Sequence, residues 1–224
     1  MRELAKFIDY SLLGKNISYA MVTKHCDEAI QHGFKTVCVH PRWVREARKY
    51  LHGTVVSVCT VIDFPFGSST FEARLYEAKD AVYNGAQELD IVASLTGDIE
   101  RTKSDIASVV RAIRRTSIYT CIKVILETGM LENSQITTLC HWCGELGVDF
   151  VKTSTGFVSR GASVEDIIIM KEALSQYKTK IKASGGIKSL DTALDMIMVG
   201  AERIGTSIGP KLMQEAAARG ITCL

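Results

Sequence analysis

Eight short runs rich in β-branched residues, each trailed by a stretch of helical length, limit what this chain can fold into more than any other feature. The runs cover residues 8–12, 36–39, 55–62, 88–92, 121–126, 149–152, 180–183 and 203–205. Between them, apolar residues recur at helical spacing, so the chain alternates between strand and helix periods. The segment 71–84 shows the helical kind: Phe71, Leu75, Ala78 and Val82 share one face, with Glu72, Arg74, Lys79 and Asp80 expected outside it. Another helix is expected over 19–32. Gly33, Gly85, Gly147 and Gly200 each stand between a helical pattern and the next strand, where a left-handed residue ends a helix. Such alternation builds a parallel sheet with helical crossovers. Five or six strands would leave the sheet open. Eight close it, so the expected fold is α/β, one (β/α)8 TIM barrel occupying residues 1–224 as a single domain.

The chain of 224 residues is 46% hydrophobic and 23% charged, enough apolar material for a barrel core and too much for a disordered chain. Its formal net charge is +2 and its basic residues are scattered, Arg114-Arg115 being the densest pair, which argues against a nucleic-acid surface. No apolar run approaches the ~18 residues of a membrane span. No long apolar stretch follows Met1-Arg2-Glu3-Leu4, as a signal peptide requires. Seven cysteines, an odd number without framework spacing, fit a reduced, cytoplasmic setting. Cys140-His141-Trp142-Cys143 is a CxxC, but no second ligand pair matches it, so its thiols are expected to share a helix face as small apolar groups. Association with copies of the same chain stays open: barrels of this kind often pair through helix faces, and no unambiguous apolar stripe marks one.

Working groups of such barrels sit at the C-terminal ends of strands. Three charged residues stand where a buried strand would ordinarily exclude them: Asp90 in the fourth run, Lys152 at the end of the sixth and Lys182 in the seventh. One lysine there is most simply an ion-paired residue. Two on adjacent strands with a carboxylate form an arrangement that stability alone rarely requires. A lysine must be neutral to attack a carbonyl, and its ordinary pKa is about 10.4. Bringing it to about 7–8 takes ~4 kcal/mol. A second ammonium ~4 Å away contributes ~4 kcal/mol of repulsion at an effective dielectric of ~20. Direct pairing of Asp90 with the nucleophile would oppose this, so Asp90 is expected nearer Lys182 or bridged by water. Gly185-Gly186 after the seventh run and Gly205-Thr206-Ser207 after the eighth suit a phosphate cradle, with Thr206 or Ser207 adding hydroxyl donors.

With these residues in place, the chain closely resembles the deoxyribose-phosphate aldolase family. The resemblance rests on Val151-Lys152-Thr153-Ser154-Thr155-Gly156-Phe157, Lys182-Ala183-Ser184-Gly185-Gly186-Ile187 and Arg203-Ile204-Gly205-Thr206-Ser207, in family order. Supporting stretches include Val37-Cys38-Val39-His40-Pro41 and Lys123-Val124-Ile125-Leu126-Glu127-Thr128. The resemblance implies a class I, Schiff-base aldolase that reversibly cleaves 2-deoxy-D-ribose 5-phosphate to D-glyceraldehyde 3-phosphate and acetaldehyde, in deoxynucleoside breakdown. It implies no metal and no organic cofactor. By matching motif positions, Lys152 is the Schiff-base lysine, Lys182 the neighbour that tunes it and Asp90 an acid/base partner. Gly156 joins Gly185, Gly186, Gly205, Thr206 and Ser207 among the expected substrate-binding residues.

The chain departs from the family pattern at Ile91-Val92-Ala93-Ser94-Leu95-Thr96, at His40 and Asp63, at Ile208 where a second serine is common, and in having no tyrosine after Tyr177. Two alternatives therefore accompany the main expectation. One is a related Schiff-base aldolase with a different phosphorylated aldehyde. The other is a phosphate-binding barrel without catalysis.

Overall fold

The computed structural model describes residues 3–95 and 99–224, so the expectations placed on Met1-Arg2 and on Thr96 lie outside the described residues. The strands are β1 (Ile8–Leu12), β2 (Thr36–Val39), β3 (Ser57–Ile62), β4 (Glu88–Val92), β5 (Cys121–Ile125), β6 (Phe150–Lys152), β7 (Lys180–Ser184) and β8 (Arg203–Thr206). The helices are α1 (Tyr19–His32), α2 (Val44–Tyr50), α3 (Phe71–Tyr83), α4 (Ile99–Thr116), α5 (Asn133–Glu145), α6 (Val164–Ala173), α7 (Leu190–Val199) and α8 (Gly209–Ala218). All neighbouring strands are parallel and β8 returns to β1 through Ile8↔Ile204, closing the barrel in sequence order. Among the described residues no helix is long and apolar enough to cross a membrane.

Local chemistry sets the element ends. Ser18, Thr70, Ser163 and Ser189 cap α1, α3, α6 and α7, each side chain accepting a backbone N–H of the first turn. Gly33, Gly85, Gly147 and Gly200 all have positive φ, as expected of residues that stop a helix. The third strand starts at Ser57 rather than at residue 55. The hydroxyl of Thr54 accepts the Val56 N–H at 3.3 Å, and Val55 is 76% exposed, so the two valines finish a turn before the ladder begins.

Side chains alternate across the sheet. Val37, Val58, Leu89, Ile122, Val124, Val151, Ile181 and Ile204 pack with helix residues such as Ala47, Ala78, Ile136 and Ile167 in one apolar cluster between barrel and helices. Cys140 and Cys143 belong to that cluster on α5. Arg74 departs from expectation. It is only 2% exposed, and its guanidinium reaches beneath the loop after β3 to donate to Asp63 Oδ2 at 2.7 and 3.0 Å and to Gly67 O at 3.1 Å. A paired arginine can be buried on a helix face where a free one cannot.

His25 lies under the β1–α1 turn, its ring stacked on Tyr10 at 3.7 Å, with Nε2 donating to the Tyr10 carbonyl at 3.0 Å. Burial pushes its imidazole down to about 4 from an ordinary 6.5, and the bond to Tyr10 offsets only part of this. Between those values the unfolded chain binds a proton that the folded chain refuses. The stability associated with neutral His25 is therefore complete above the unfolded value and is lost as pH falls through the folded one, about 3 kcal/mol in all. Thermal melts of His25→Gln should show a shallower loss of Tm than the parent between about pH 7 and pH 4; parallel curves would refute this.

Candidate active site

The barrel interior is charged. Asp9 of β1 contacts Lys123 of β5, and Asp90 of β4 contacts Lys182 of β7, pairs that can meet only across the lumen. Strand register brings the central groups opposite one another: Asp90 pairs with Lys123 across β4–β5, and Lys152 with Lys182 across β6–β7. Neighbouring strands lie about 4.8 Å apart, so the two lysines of β6 and β7 are forced into proximity by the backbone.

Asp90 is saturated. Its Oδ1 accepts from Lys123 Nζ at 2.7 Å and from the Cys59 thiol at 3.2 Å. Its Oδ2 accepts from Lys152 Nζ at 2.8 Å and from Lys182 Nζ at 2.7 Å. The expected separation of Asp90 from Lys152 is thus corrected: the carboxylate bridges both lysines directly. A fully buried carboxylate needs every lone pair engaged, and for Oδ2 the ammonium groups of Lys152 and Lys182 are the donors within reach.

A second layer surrounds this centre. Lys123 also meets Glu88 at 2.7 Å, Lys182 meets Asp9 at 2.6 Å, and Arg203 pairs with Asp9 and, at 3.1 Å, with Glu88. Burial alone pushes the Asp90 carboxyl up, but Lys123, Lys152 and Lys182 outweigh it and hold the group well below the usual carboxylate range. Burial likewise pulls the Lys182 ammonium down, and Asp9 and Asp90 reverse this and hold it well above its ordinary value. Lys123 is raised in the same way, chiefly by Asp90, Cys59 and Glu88 acting against burial. In formal charge, Asp9, Glu88 and Asp90 are balanced by Lys123, Lys182 and Arg203. With Lys152 the cluster carries one cation more than its carboxylates.

Above the cluster a cavity of about 400 Å³ opens at the C-terminal rim, with Lys152 at its base. Gly156, Gly185, Gly186, Gly205, Thr206 and Ser207 all line it; Lys182 and Asp90 lie beneath, fully buried. Gly185 and Gly186 have φ of 84° and 76°, two consecutive left-handed residues that leave the backbone open to an anion. Thr206 is not the free donor expected. Its hydroxyl donates to Ile187 O at 3.0 Å and accepts from Ile208 N–H at 3.2 Å, tying the loop after β8 to the loop after β7. Ser207 is exposed at the wall.

Sequence reasoning missed Lys123, Asp9, Glu88 and Arg203 as members of the charged cluster, and Lys188 and Thr155 as cavity residues. The signal was present: Glu88 and Asp90 are two apart on one strand, and Lys123 sits mid-strand, so all three face inward. Glu127 was quoted only as part of a motif. It adopts a left-handed φ of 57° at the end of β5, and its buried carboxylate accepts from the Thr155 backbone N–H and from its hydroxyl at 2.5 Å. That clamp fixes the loop that follows Lys152.

Fold and site together define a (β/α)8 barrel that presents an amine, held against a carboxylate and a second ammonium, to whatever enters its mouth. The chain belongs to the DeoC/LacD family of aldolases, whose family model matches residues 4–215. It is 42% identical over 219 residues to a deoxyribose-phosphate aldolase of Brevibacillus brevis, covering 96% of this chain and 97% of that one. It is 42% identical over 220 residues to the corresponding enzyme of Acholeplasma laidlawii, covering 98% and 99%. Among solved structures, the aldolase QR15 superposes with a TM-score of 0.91 at 36% identity, covering 98% of each chain. The deoxyribose phosphate aldolase of Aeropyrum pernix, described as a tetramer, superposes with a TM-score of 0.90 at 29% identity, covering 96% of this chain and 92% of that one.

Gly205 gives the arrangement a sharp test. A Cβ there would stand 2.8 Å from Ser184 Cβ and 3.1 Å from Lys182 Cε. Gly205→Ala should keep the circular-dichroism spectrum of the fold while lowering aldol turnover at least about tenfold, because Ser184 and Lys182 must both shift to admit the methyl group. Full turnover in a folded variant would show that the position of Lys182 is unimportant.

Proposed function

We propose that this chain is a deoxyribose-phosphate aldolase that cleaves 2-deoxy-D-ribose 5-phosphate to D-glyceraldehyde 3-phosphate and acetaldehyde through a Schiff base on Lys152. The observation that carries the reading is the single oxygen, Asp90 Oδ2, within hydrogen-bond distance of both Lys152 and Lys182 at the base of the cavity. Lys152 lines the cavity whereas Lys123 and Lys182 are fully buried beneath it, so access favours this amine as the nucleophile.

Lys152 Nζ attacks C1 of the open-chain sugar. Lys182 supplies the proton that lets the carbinolamine lose water, and Asp90 Oδ2 relays protons between the nitrogens of Lys152 and Lys182. The resulting iminium draws the electrons of the C2–C3 bond as the C3 hydroxyl gives up its proton to the Asp90–Lys182 pair through water, releasing D-glyceraldehyde 3-phosphate. Protonation of the enamine at C2 and hydrolysis release acetaldehyde and restore Lys152. The substrate phosphate lies against Gly185, Gly186 and Ser207, with Lys188 at the same wall as a counter-charge. The free state of all seven cysteines fits work in a reduced cytoplasm, in deoxynucleoside catabolism. Self-association, as in the tetrameric Aeropyrum pernix relative, is part of this reading; light scattering of the purified chain distinguishes one copy from several.

Borohydride reduction in the presence of acetaldehyde, followed by peptide mass analysis, should place an ethyl adduct on Lys152; an adduct on another lysine, or none, sinks the assignment. Lys182→Leu should retain the fold and slow imine formation at neutral pH, with partial recovery at higher pH, since the ammonium that shares Asp90 Oδ2 with Lys152 is then gone. An unchanged pH profile would remove Lys182 from the mechanism. Dephosphorylated deoxyribose should react with a much higher KM, and equal efficiency would refute the cradle. Faster cleavage of another sugar phosphate would favour an aldolase of different acceptor.

A further inference from the structure

Two thiols that the aldol chemistry does not use lie against its central carboxylate. Cys38 of β2 and Cys59 of β3 are register partners on adjacent parallel strands. Both are completely buried, and their sulfurs lie within 4.8 Å of each other and of an Asp90 carboxylate oxygen. Cα atoms of such partners are about 4.8 Å apart, inside the span of about 4.4–6.8 Å that a disulfide accepts. The Cys59 sulfur is 3.2 Å from Asp90 Oδ1, to which it donates, and 3.2 Å from Lys123 Nζ, from which it accepts. We propose that Cys38 and Cys59 form a redox modification site, oxidised by a small peroxide to a disulfide that takes the thiol hydrogen bond away from Asp90 and switches the aldolase off.

The surroundings favour this chemistry over the other option such a cluster presents. A divalent cation held by Cys38, Cys59 and Asp90 would enter a site already facing the ammonium groups of Lys123, Lys152 and Lys182. Those same charges stabilise a thiolate, the form that reacts with peroxides. The adjacent Cys59 sulfur draws the Cys38 thiol below its ordinary value, against the opposing effects of burial and of Asp90, whereas burial pushes the Cys59 thiol up. Cys38 is therefore the attacking sulfur and Cys59 the resolving one. Leu13, which lines the cavity, packs against the apolar cluster that Cys38 and Cys59 form with Val61, so the thiols' own cluster reaches the cavity wall.

The steps balance. The Cys38 thiolate attacks one oxygen of hydrogen peroxide, the O–O bond breaks, and hydroxide leaves with the proton Cys38 gave up, as water. The sulfenic acid so formed is attacked by Cys59, whose proton passes by way of Asp90 Oδ1 to the departing hydroxide as the S–O bond breaks. Two thiols and one peroxide become one disulfide and two waters.

The test treats the reduced full chain with a small excess of hydrogen peroxide, blocks remaining thiols under denaturing conditions and maps peptides by mass. The expected product joins Cys38 to Cys59 and leaves the other five thiols alkylated. Deoxyribose-phosphate cleavage should fall at least about tenfold, the effect of losing a hydrogen bond to a buried charge, and return on addition of dithiothreitol. Cys38→Ser should form no disulfide and should show a treated-to-untreated activity ratio near one. A chain whose thiols all remain free, a product joining Cys140 to Cys143 instead, or a Cys38–Cys59 disulfide with undiminished activity would each overturn the proposal. The activity arm rests on the aldolase reading. Peptide mapping does not, so an untreated chain without aldolase activity would fail that reading, while the mapped thiols still judge the modification site.

Discussion

Four hydrogen bonds converge on the carboxylate of Asp90, and the rest of the molecule is arranged around them. Their donors come from β3, β5, β6 and β7, so the bonds exist only when the barrel is closed and in register. Most barrels fill this space with branched aliphatic side chains in layers. Here the layers are ionic, and each charge has partners on other strands. Removing one member of such a set strands its neighbours in a medium of low polarity, at a cost of several kcal/mol. The apolar cluster between sheet and helices supplies cohesion, while the charged lumen specifies which strand stands where.

The same cluster explains why the amine of Lys152 differs from the others. Lys123, Lys182 and Arg203 each meet two or more carboxylates, whereas among the described residues Lys152 meets Asp90 alone and faces the cavity. Sharing Asp90 Oδ2 with Lys182 leaves Lys152 the less fully compensated of the pair. A pairwise picture of two repelling ammonium groups, sufficient at first sight, thus becomes a balance among seven groups in which Asp90 participates directly. The repulsion is real, but its effect is set by how many carboxylates the fixed cations already satisfy.

Much of this was legible in the sequence, for identifiable reasons. The barrel followed from periodicity and from the four helix-ending glycines, which depend on local backbone preferences. Lys152, Lys182 and Asp90 stood out because charge in a buried strand is rare. Lys123 and Glu88 carried the same signal, but Lys123 read as part of a recognised stretch and Glu88 as a strand's first residue. Their importance depends on the cross-lumen pairing of β4 with β7 and of β1 with β5, which no local pattern encodes. Arg74 was misplaced for a related reason: its partner Asp63 lies in the preceding loop, so helical periodicity alone put it in solvent. The role of Thr206 was also out of reach, since a hydroxyl reads alike whether it faces a ligand or a carbonyl across the loop.

That hydroxyl has a mechanical consequence. By donating to Ile187 O, Thr206 fastens the rim after β8 to the rim after β7, and the Ala162 N–H, which donates to Ser184 O and Gly185 O, fastens the segment after β6 to the same place. Three rim segments are therefore joined by hydrogen bonds before anything enters the mouth. A molecule entering the mouth meets little loop entropy to freeze there, so more of its attraction to the rim is left to orient the rest of it.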